Sequence, residues 1–596
     1  MSQASRGSLE ALRVAAILAV VVPSALAYNV PPSATFLNQA AALVGWGVFL
    51  FLMVLAGWSN SRPRLNAGTG ANSLLAAFGL MLAGVLASAL LAGLPGPLAL
   101  SSAGLLVAAA LVICVAVAGA RTEIGAHAFR AFCEALVWAG VVSAGIALVQ
   151  TFMPGWTDGT WIANVSSPGR VGANLRQPNH LASLLVLSAI ALVWTRERAS
   201  DAPGSASVVR WASGLLLPLF IFGIVLTASR TGAICVALLA VWAAVDRRMS
   251  RTTRLLLWAA PVVFVLGWVG MDAWARAGAH AFSGDSQLHR SDLSSSRFAI
   301  WGNTLSMIAA QPWTGVGWGE FNLAWTLSVF PGRPTAFFDH THNLPLQLLV
   351  ELGLPLGLLI LGLLLCALWC ACRVAVRAPA GPDGTRMRAA TMMVLTMAVH
   401  SQLEYPLWYA YFLLPTAFAF GMALSRDAAA SDAEGRPMKG GRSLPPLPLA
   451  VACCVLVAGG IAATVDYTRV VAIFSPPAGA ASLPERIAEG RRSWFFAHHA
   501  DYAAVTTVEH PSEAMASFRS APHYLLDARL MQAWARALDE AGDVERARYV
   551  AARLKEFRND QAADFFAPCE AAASASGVRP FQCVDGPAGL DYRNFR

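Results

Sequence analysis

An all-α, polytopic membrane fold is what this sequence predicts, on three observations. The 596 residues are 56% hydrophobic and only 13% charged, a composition too apolar for a soluble chain. Apolar stretches recur at lengths close to the roughly 20 residues a helix needs to cross a bilayer core. Arginines gather in every second connection between those stretches, as short cytoplasmic loops require.

Thirteen stretches qualify, at residues 8–28, 37–58, 73–93, 98–120, 129–152, 179–195, 211–228, 231–245, 255–273, 345–371, 389–403, 407–424 and 446–467. The alternate connections hold Arg6, then Arg62 and Arg64, Arg121, then Arg196, Arg198 and Arg210. Arg247, Arg248, Arg251 and Arg254 follow, then Arg373, Arg377, Arg386 and Arg388, then Arg426, Arg436, Lys439 and Arg442. With these inside, an odd number of helices places the N-terminus in the cytoplasm and residues 468–596 in the periplasm of a Gram-negative cell. The first stretch is long and has no clear cleavage site, so it reads as an anchor and not as a cleaved signal. Residues 1–467 thus form a transmembrane domain and residues 468–596 a periplasmic one. A nucleic-acid partner is not expected.

Eight of the ten cysteines lie in or beside apolar stretches, where a thiol serves as a small hydrophobe. Cys569 and Cys583 instead fall in the tail, where an oxidising compartment would let them form a disulfide. In the tail, Leu530, Trp534, Ala535, Leu538 and Ala541 recur at helical spacing, Gly542 interrupts, and the period resumes from Val544 to Phe557. One helix-turn-helix of tetratricopeptide shape is expected. It cannot bury its own core and must pack on neighbouring helices such as 484–507 or on the membrane domain.

Polar residues concentrate in two outward loops, 153–178 and 274–344. The first ends in Gln177-Pro178-Asn179-His180, where Pro178 opens a helix and Asn179 can cap it. Capping does not account for Arg170, Arg176 and Gln177 at one outer membrane edge, against the positive-inside trend. Arg230, in Ser229-Arg230-Thr231-Gly232, and Arg297, in Ser296-Arg297-Phe298, break the same trend. A lone arginine there snorkels to water, but a pair offers forked donors that match a diphosphate without a metal. The second loop closes on Asp339-His340-Thr341-His342-Asn343, where an imidazole and an amide sit at the start of a membrane helix. A site at a membrane surface suggests a lipid-borne substrate.

Taken together, Arg230, Arg297 and the His342-Asn343 pair resemble the O-antigen ligase and polymerase superfamily. Gln177-Pro178-Asn179-His180-Leu181-Ala182 and Glu404-Tyr405-Pro406-Leu407, with a cysteine-containing C-terminal domain, resemble its protein-glycosylating branch, the PglL-type O-oligosaccharyltransferases. One departure stands out: the broader ligase pattern has Gly, Thr or Tyr three residues after Gly353, and this chain has Leu356.

The resemblance implies transfer of an oligosaccharide from undecaprenyl diphosphate to a Ser or Thr hydroxyl of a periplasmic protein, at the inner membrane. His342 would be the general base, since an imidazole titrates near neutral pH. Arg230 and Arg297, with Arg170 and Arg176 nearby, would bind the donor diphosphate. Gln177, Tyr405, Asn343 and Glu404 would contact sugar or acceptor. A single base implies inversion at the anomeric carbon. No cofactor is expected. Asp339, His340 and His342 are also metal-ligating types, but no further carboxylate cluster accompanies them. His180 and His400 read as structural. A lipid A-core ligase or polysaccharide polymerase would use the same chemistry on another acceptor. A transporter or flippase would instead concentrate its polar groups on broken helices at the midplane.

Overall fold

The computed structural model describes residues 3–58, 64–65, 68–120, 122–199, 206–278, 281–284, 291–424, 442–443, 446–572 and 579–596. Nine helices come first: α1 (Gln3–Ala25), α2 (Phe36–Trp58), α3 (Thr69–Leu91), α4 (Gly96–Gly119), α5 (Glu123–Phe152), α6 (Pro178–Ala199), α7 (Ala206–Leu226), α8 (Arg230–Val245) and α9 (Arg251–Gly278). The long outer loop contributes α10 (Ser291–Ala310) and the short α11 (Phe321–Leu327), before α12 (Leu344–Arg377), α13 (Pro382–His400), α14 (Ala410–Ala423) and α15 (Pro446–Phe474). The tail adds α16 (Leu483–Gly490), α17 (Ala497–Thr506), α18 (Ala528–Glu540), α19 (Val544–Glu556) and α20 (Ala563–Ala572).

Each of the thirteen apolar stretches is a helix, yet among the described residues only ten helices are long and apolar enough to cross a membrane. The other three are α8 and α14, which are short, and α13, which begins with Arg386 and Arg388. Arg388 is buried against Asp246 at 2.7 Å, so the cost of its charge is met inside the bundle. Several helices overrun the apolar stretch that announced them. α5 starts at Glu123 because Thr122 caps it, its hydroxyl accepting from the Gly125 amide at 3.1 Å.

Some of the arginine-bearing connections touch one another. Arg64 pairs with Ser443 and Leu65 with Arg442 in a two-residue antiparallel ladder, a small exception to the all-helical reading. Arg248 donates to the Val376 carbonyl at 2.8 Å, and Ser250 donates to Glu197 at 2.7 Å. Arg62, Arg121, Arg426, Arg436 and Lys439 lie outside the described residues.

Two cores result. Trp46, Phe49, Phe129, Phe132, Phe220 and Phe418 fill the membrane bundle. A second core joins the outer loop to the tail: Ile300, Phe321 and Trp325 pack with Phe518, Trp534, Tyr549 and Phe557. The helix-turn-helix expected in the tail is α18 and α19, with Gly542 in the left-handed conformation at the turn (φ +84°). Its apolar face lies on the loop, and the Tyr549 hydroxyl donates to the Leu327 carbonyl at 2.6 Å. Cys569 and Cys583 are bridged.

α12 breaks between two and three turns below the loop, at Gly353. Gly353 sits at φ +76°, and a Cβ there would come within 2.5 Å of the Trp313 carbonyl oxygen. Pro355 has no N–H to give the Glu351 carbonyl, four residues back. The turn 312–317 repairs the break: Gly317 donates to Glu351 at 2.9 Å, Val316 to Val350 at 2.8 Å, and Leu354 donates to Pro312 at 2.7 Å. This brace fixes the loop against the helix that His342 precedes.

Candidate active site

Four segments far apart in sequence meet at Glu404, in the turn between α13 and α14. Its Oε1 accepts from Arg297 at 2.6 Å and from the Asn179 amide at 3.1 Å, while Oε2 lies 2.8 Å from His342 Nδ1. The Glu404 side chain is only 8% exposed. Burial alone would raise its pKa, but the hydrogen bond from His342 and the charges of His342 and Arg297 outweigh it and pull the carboxyl down to about 2. A buried carboxylate with three donors around it is satisfied as an anion.

The network continues to the second arginine. The Asn179 carbonyl oxygen accepts from the Ser229 hydroxyl at 2.6 Å, and the same Ser229 oxygen caps α8 by accepting from the Gly232 amide at 3.0 Å. Arg230, the first residue of α8, is exposed next to that cap. Ser229, Asn179 and Glu404 therefore link the segment bearing Arg230 to Arg297 and His342.

The backbone is bent at this site. His342 (φ +54°), Arg176 (φ +59°) and Ala228 (φ +48°) all occupy the left-handed region, which a side chain disfavours. Strain of this kind persists where the surroundings hold it. Thr341 on one side of His342 is gripped by Gln347, whose Oε1 accepts from its amide at 2.8 Å, and by Trp301, whose indole donates to its carbonyl at 2.9 Å. Asn343 on the other side caps α12, accepting from the Leu346 amide at 3.0 Å and donating to the Gln402 carbonyl at 3.1 Å.

Other residues expected to bind substrate are placed differently. Gln177 caps α6, its Oε1 accepting from the His180 amide at 2.8 Å. Arg176 donates to the Ala34 and Ala27 carbonyls at 2.9 and 2.6 Å, and Arg170 to the Thr227 carbonyl at 3.3 Å, so both tie outer loops together. Glu404 is turned inward, under His342. His180 is buried against Tyr411 and His400 against Ser183.

Tyr405 stacks on His340 with centroids 4.3 Å apart and meets His342 edge-on at 5.0 Å. Asp339 lies 3.2 Å from His340 Nδ1. Burial opposes it, but the charges of His340 and His342 hold the Asp339 carboxyl at about 2. Asp339 and Glu404 thus flank the histidines as anions. The contact sequence reasoning missed is that between Glu404 and His342, because nothing local joins positions so far apart.

A cluster of arginine, imidazole and carboxylate groups at the ends of apolar helices is the class of site that the fold defines, and comparison with known proteins narrows it. The protein glycosylation ligase family matches residues 171–195, which hold Arg176, Gln177 and Asn179. The O-antigen ligase family matches residues 215–361, which hold Arg230, Arg297 and His342. The family described as virulence factor membrane-bound polymerase, C-terminal, matches residues 389–567, which hold Glu404 and Tyr405.

A general O-oligosaccharyltransferase of Acinetobacter baylyi is 29% identical over 259 residues, 42% of this chain and 43% of that protein. A ComP-specific O-oligosaccharyltransferase of the same organism is 26% identical over 291 residues, 47% of each chain. The chain spans just under half the length of these curated relatives. Segments of the chain are thus similar to the O-antigen ligase and protein glycosylation ligase families and to O-oligosaccharyltransferases.

Proposed function

We propose that this protein transfers an oligosaccharide en bloc from undecaprenyl diphosphate to Ser or Thr hydroxyls of periplasmic proteins. The observation that carries the reading is the single carboxylate of Glu404 shared between His342 Nδ1 and Arg297. Holding Nδ1–H on Glu404 leaves the Nε2 lone pair to take a proton, and the buried carboxylate then stabilises the imidazolium that forms. The acceptor oxygen attacks the anomeric carbon and its proton passes to His342. The bond from that carbon to the diphosphate oxygen breaks, and the electron pair leaves with the diphosphate. Arg297 and Arg230 neutralise the charge that develops there. Attack opposite the leaving group inverts the anomeric centre, and no metal takes part.

In this reading the N-terminus and the arginine-bearing connections are cytoplasmic, the site and the tail periplasmic, and the membrane is the inner one. The O-antigen ligase match is longer than the protein glycosylation ligase match and keeps a lipid A-core acceptor as the second reading. Complementation separates the two, in one strain lacking its lipopolysaccharide ligase and another lacking its protein O-glycosyltransferase. Glycoprotein restored in the second strain is expected. O-antigen restored on lipid A-core, with no glycoprotein formed, would overturn the choice of acceptor.

A further inference from the structure

The tail segment 523–526 reaches the loop of the proposed active site. His523 Nδ1 lies 2.8 and 2.9 Å from the two oxygens of the buried Glu320 carboxylate, and the Leu526 amide donates to Asn322 Oδ1 at 2.7 Å. Asn322 in turn donates to the carbonyl of Phe338, the residue before Asp339, at 2.8 Å. One asparagine therefore pins the tail segment 523–526 directly to the loop that carries Asp339, His340 and His342. Between its two pins the segment presents Tyr524.

Tyr524 and Asp339 share an unusual setting. Tyr524 is 48% exposed and the Asp339 side chain 42% exposed, yet both are densely surrounded by protein. Solvent reaches them down a cleft, not across a convex surface. His498 lies against the Tyr524 ring, tilted by 31° with centroids 4.5 Å apart, and His499 meets it edge-on at 4.8 Å. His498 is itself buried and neutral: burial and the neighbouring His499 push its pKa well below the usual value. His498 and His499 thus line part of the Tyr524 ring, while about half of the residue stays open to solvent. Beside Asp339, His340 stacks on Tyr405, and Tyr405 stacks in turn on Tyr409 with centroids 6.1 Å apart.

Two kinds of ligand contact a transferase of this type, and the cleft suits one of them. Asp339 is an anion and accepts hydrogen bonds only, while tyrosine faces offer flat apolar surface with a hydroxyl at the edge. A pyranose ring has a matching apolar face and a rim of hydroxyl donors. A flexible Ala/Pro-rich acceptor segment has few donors for a carboxylate. An oligosaccharide moved en bloc also extends beyond the diphosphate and the attacking hydroxyl, and its further sugars need a cleft beside His342.

Resting on the glycosyl-transfer reading, we infer that Asp339, Tyr409 and the open part of Tyr524 form a subsite for a pyranose ring of the donor's glycan, with the tail supplying one wall.

The test uses the full-length protein in detergent and, as probe, the oligosaccharide released by mild acid from the host's own lipid-linked donor. Binding is followed by saturation-transfer NMR. The wild type is expected to saturate sugar protons. Tyr524→Ala and Asp339→Asn should each weaken binding about tenfold, while Tyr524→Phe, which keeps the ring, should stay within about twofold. Equal binding by wild type and Tyr524→Ala, or none by the wild type, overturns the subsite. So does a Ser-containing Ala/Pro-rich peptide that saturates in place of the sugar and loses binding with Tyr524→Ala. The Phe variant guards against misfolding, since it fills the same volume.

Because binding needs no turnover, the two readings fail separately. A wild type that holds the oligosaccharide but glycosylates no protein would sink the transfer reading and leave the subsite standing. A wild type that glycosylates protein, with donor KM unchanged in Tyr524→Ala, would sink the subsite alone.

Discussion

His342 and Glu404 lie 62 positions apart and meet at 2.8 Å, and the proposed mechanism turns on that pair. Removing the imidazole by His342→Ala should lower turnover by about 10²–10⁴-fold, the usual worth of a positioned base, while the protein still reaches the membrane. Near wild-type turnover in the purified variant would make His342 structural. Glu404 also leaves a mark on stability. Its folded pKa is depressed to about 2 from an ordinary 4.5, so its contribution is complete above about pH 4.5 and fades as the pH falls toward 2. Melting curves in detergent should therefore show wild type above Glu404→Gln at pH 7, with the gap closing by pH 3. A gap that does not change with pH would mean the charge is not what Glu404 contributes. His342 stood out in sequence where a loop meets a membrane helix, and Arg230 and Arg297 stood out because they break the alternation of the other arginines; the structure joins His342 and Arg297 through Glu404. Glu404 was legible as a residue but not in its place: the pairing with His342 is a matter of tertiary geometry. Tyr524 carried no signal at all, being one aromatic among many in the tail.

At the scale of elements, apolar runs located every membrane helix, since the bilayer forces length and composition together. Ends were less legible, because capping residues and charged turns extend a helix past its apolar part, as Thr122 does for α5. Gln177 and Asn343 show the same limit from the other side. Both were expected to touch substrate, and both are found completing helix N-termini. Gly353 is the element-scale test. Gly353→Ala places a Cβ in the left-handed region and against the Trp313 carbonyl, for a conformational cost of about 1–3 kcal/mol before the clash is counted. A clear drop in melting temperature is expected, with activity falling as the brace beneath His342 loosens. An unchanged melt would show that the turn 312–317 gives way freely.

On the scale of the whole molecule, the tail and the outer loop fold as one layer over the membrane bundle. The Cys569–Cys583 bridge should stabilise the tail by about 3 kcal/mol in the chain-entropy view. Reduction, or Cys583→Ser, should thus lower the melting temperature without altering the membrane helices, read by tryptophan fluorescence against far-ultraviolet dichroism. Free thiols in non-reducing peptide maps of protein folded in the periplasm would count against the bridge and the side assigned to the tail. Chelators should leave turnover unchanged, and activity lost in EDTA and regained with a divalent ion would replace the arginine clamp by a metal at Asp339 and His340. The division into a membrane part and a separate tail was only half legible, because the partner of an apolar helix face cannot be named from its own periodicity. Trp325 in the loop packs on Phe557 in the tail, 5.5 Å between centroids. That contact also sets an order of events during synthesis. The ribosome delivers His342 and Glu404 long before it reaches residue 557, so the loop waits unfinished until the last helices arrive, and a nascent chain halted short of them would carry the reacting groups without the surface that holds them.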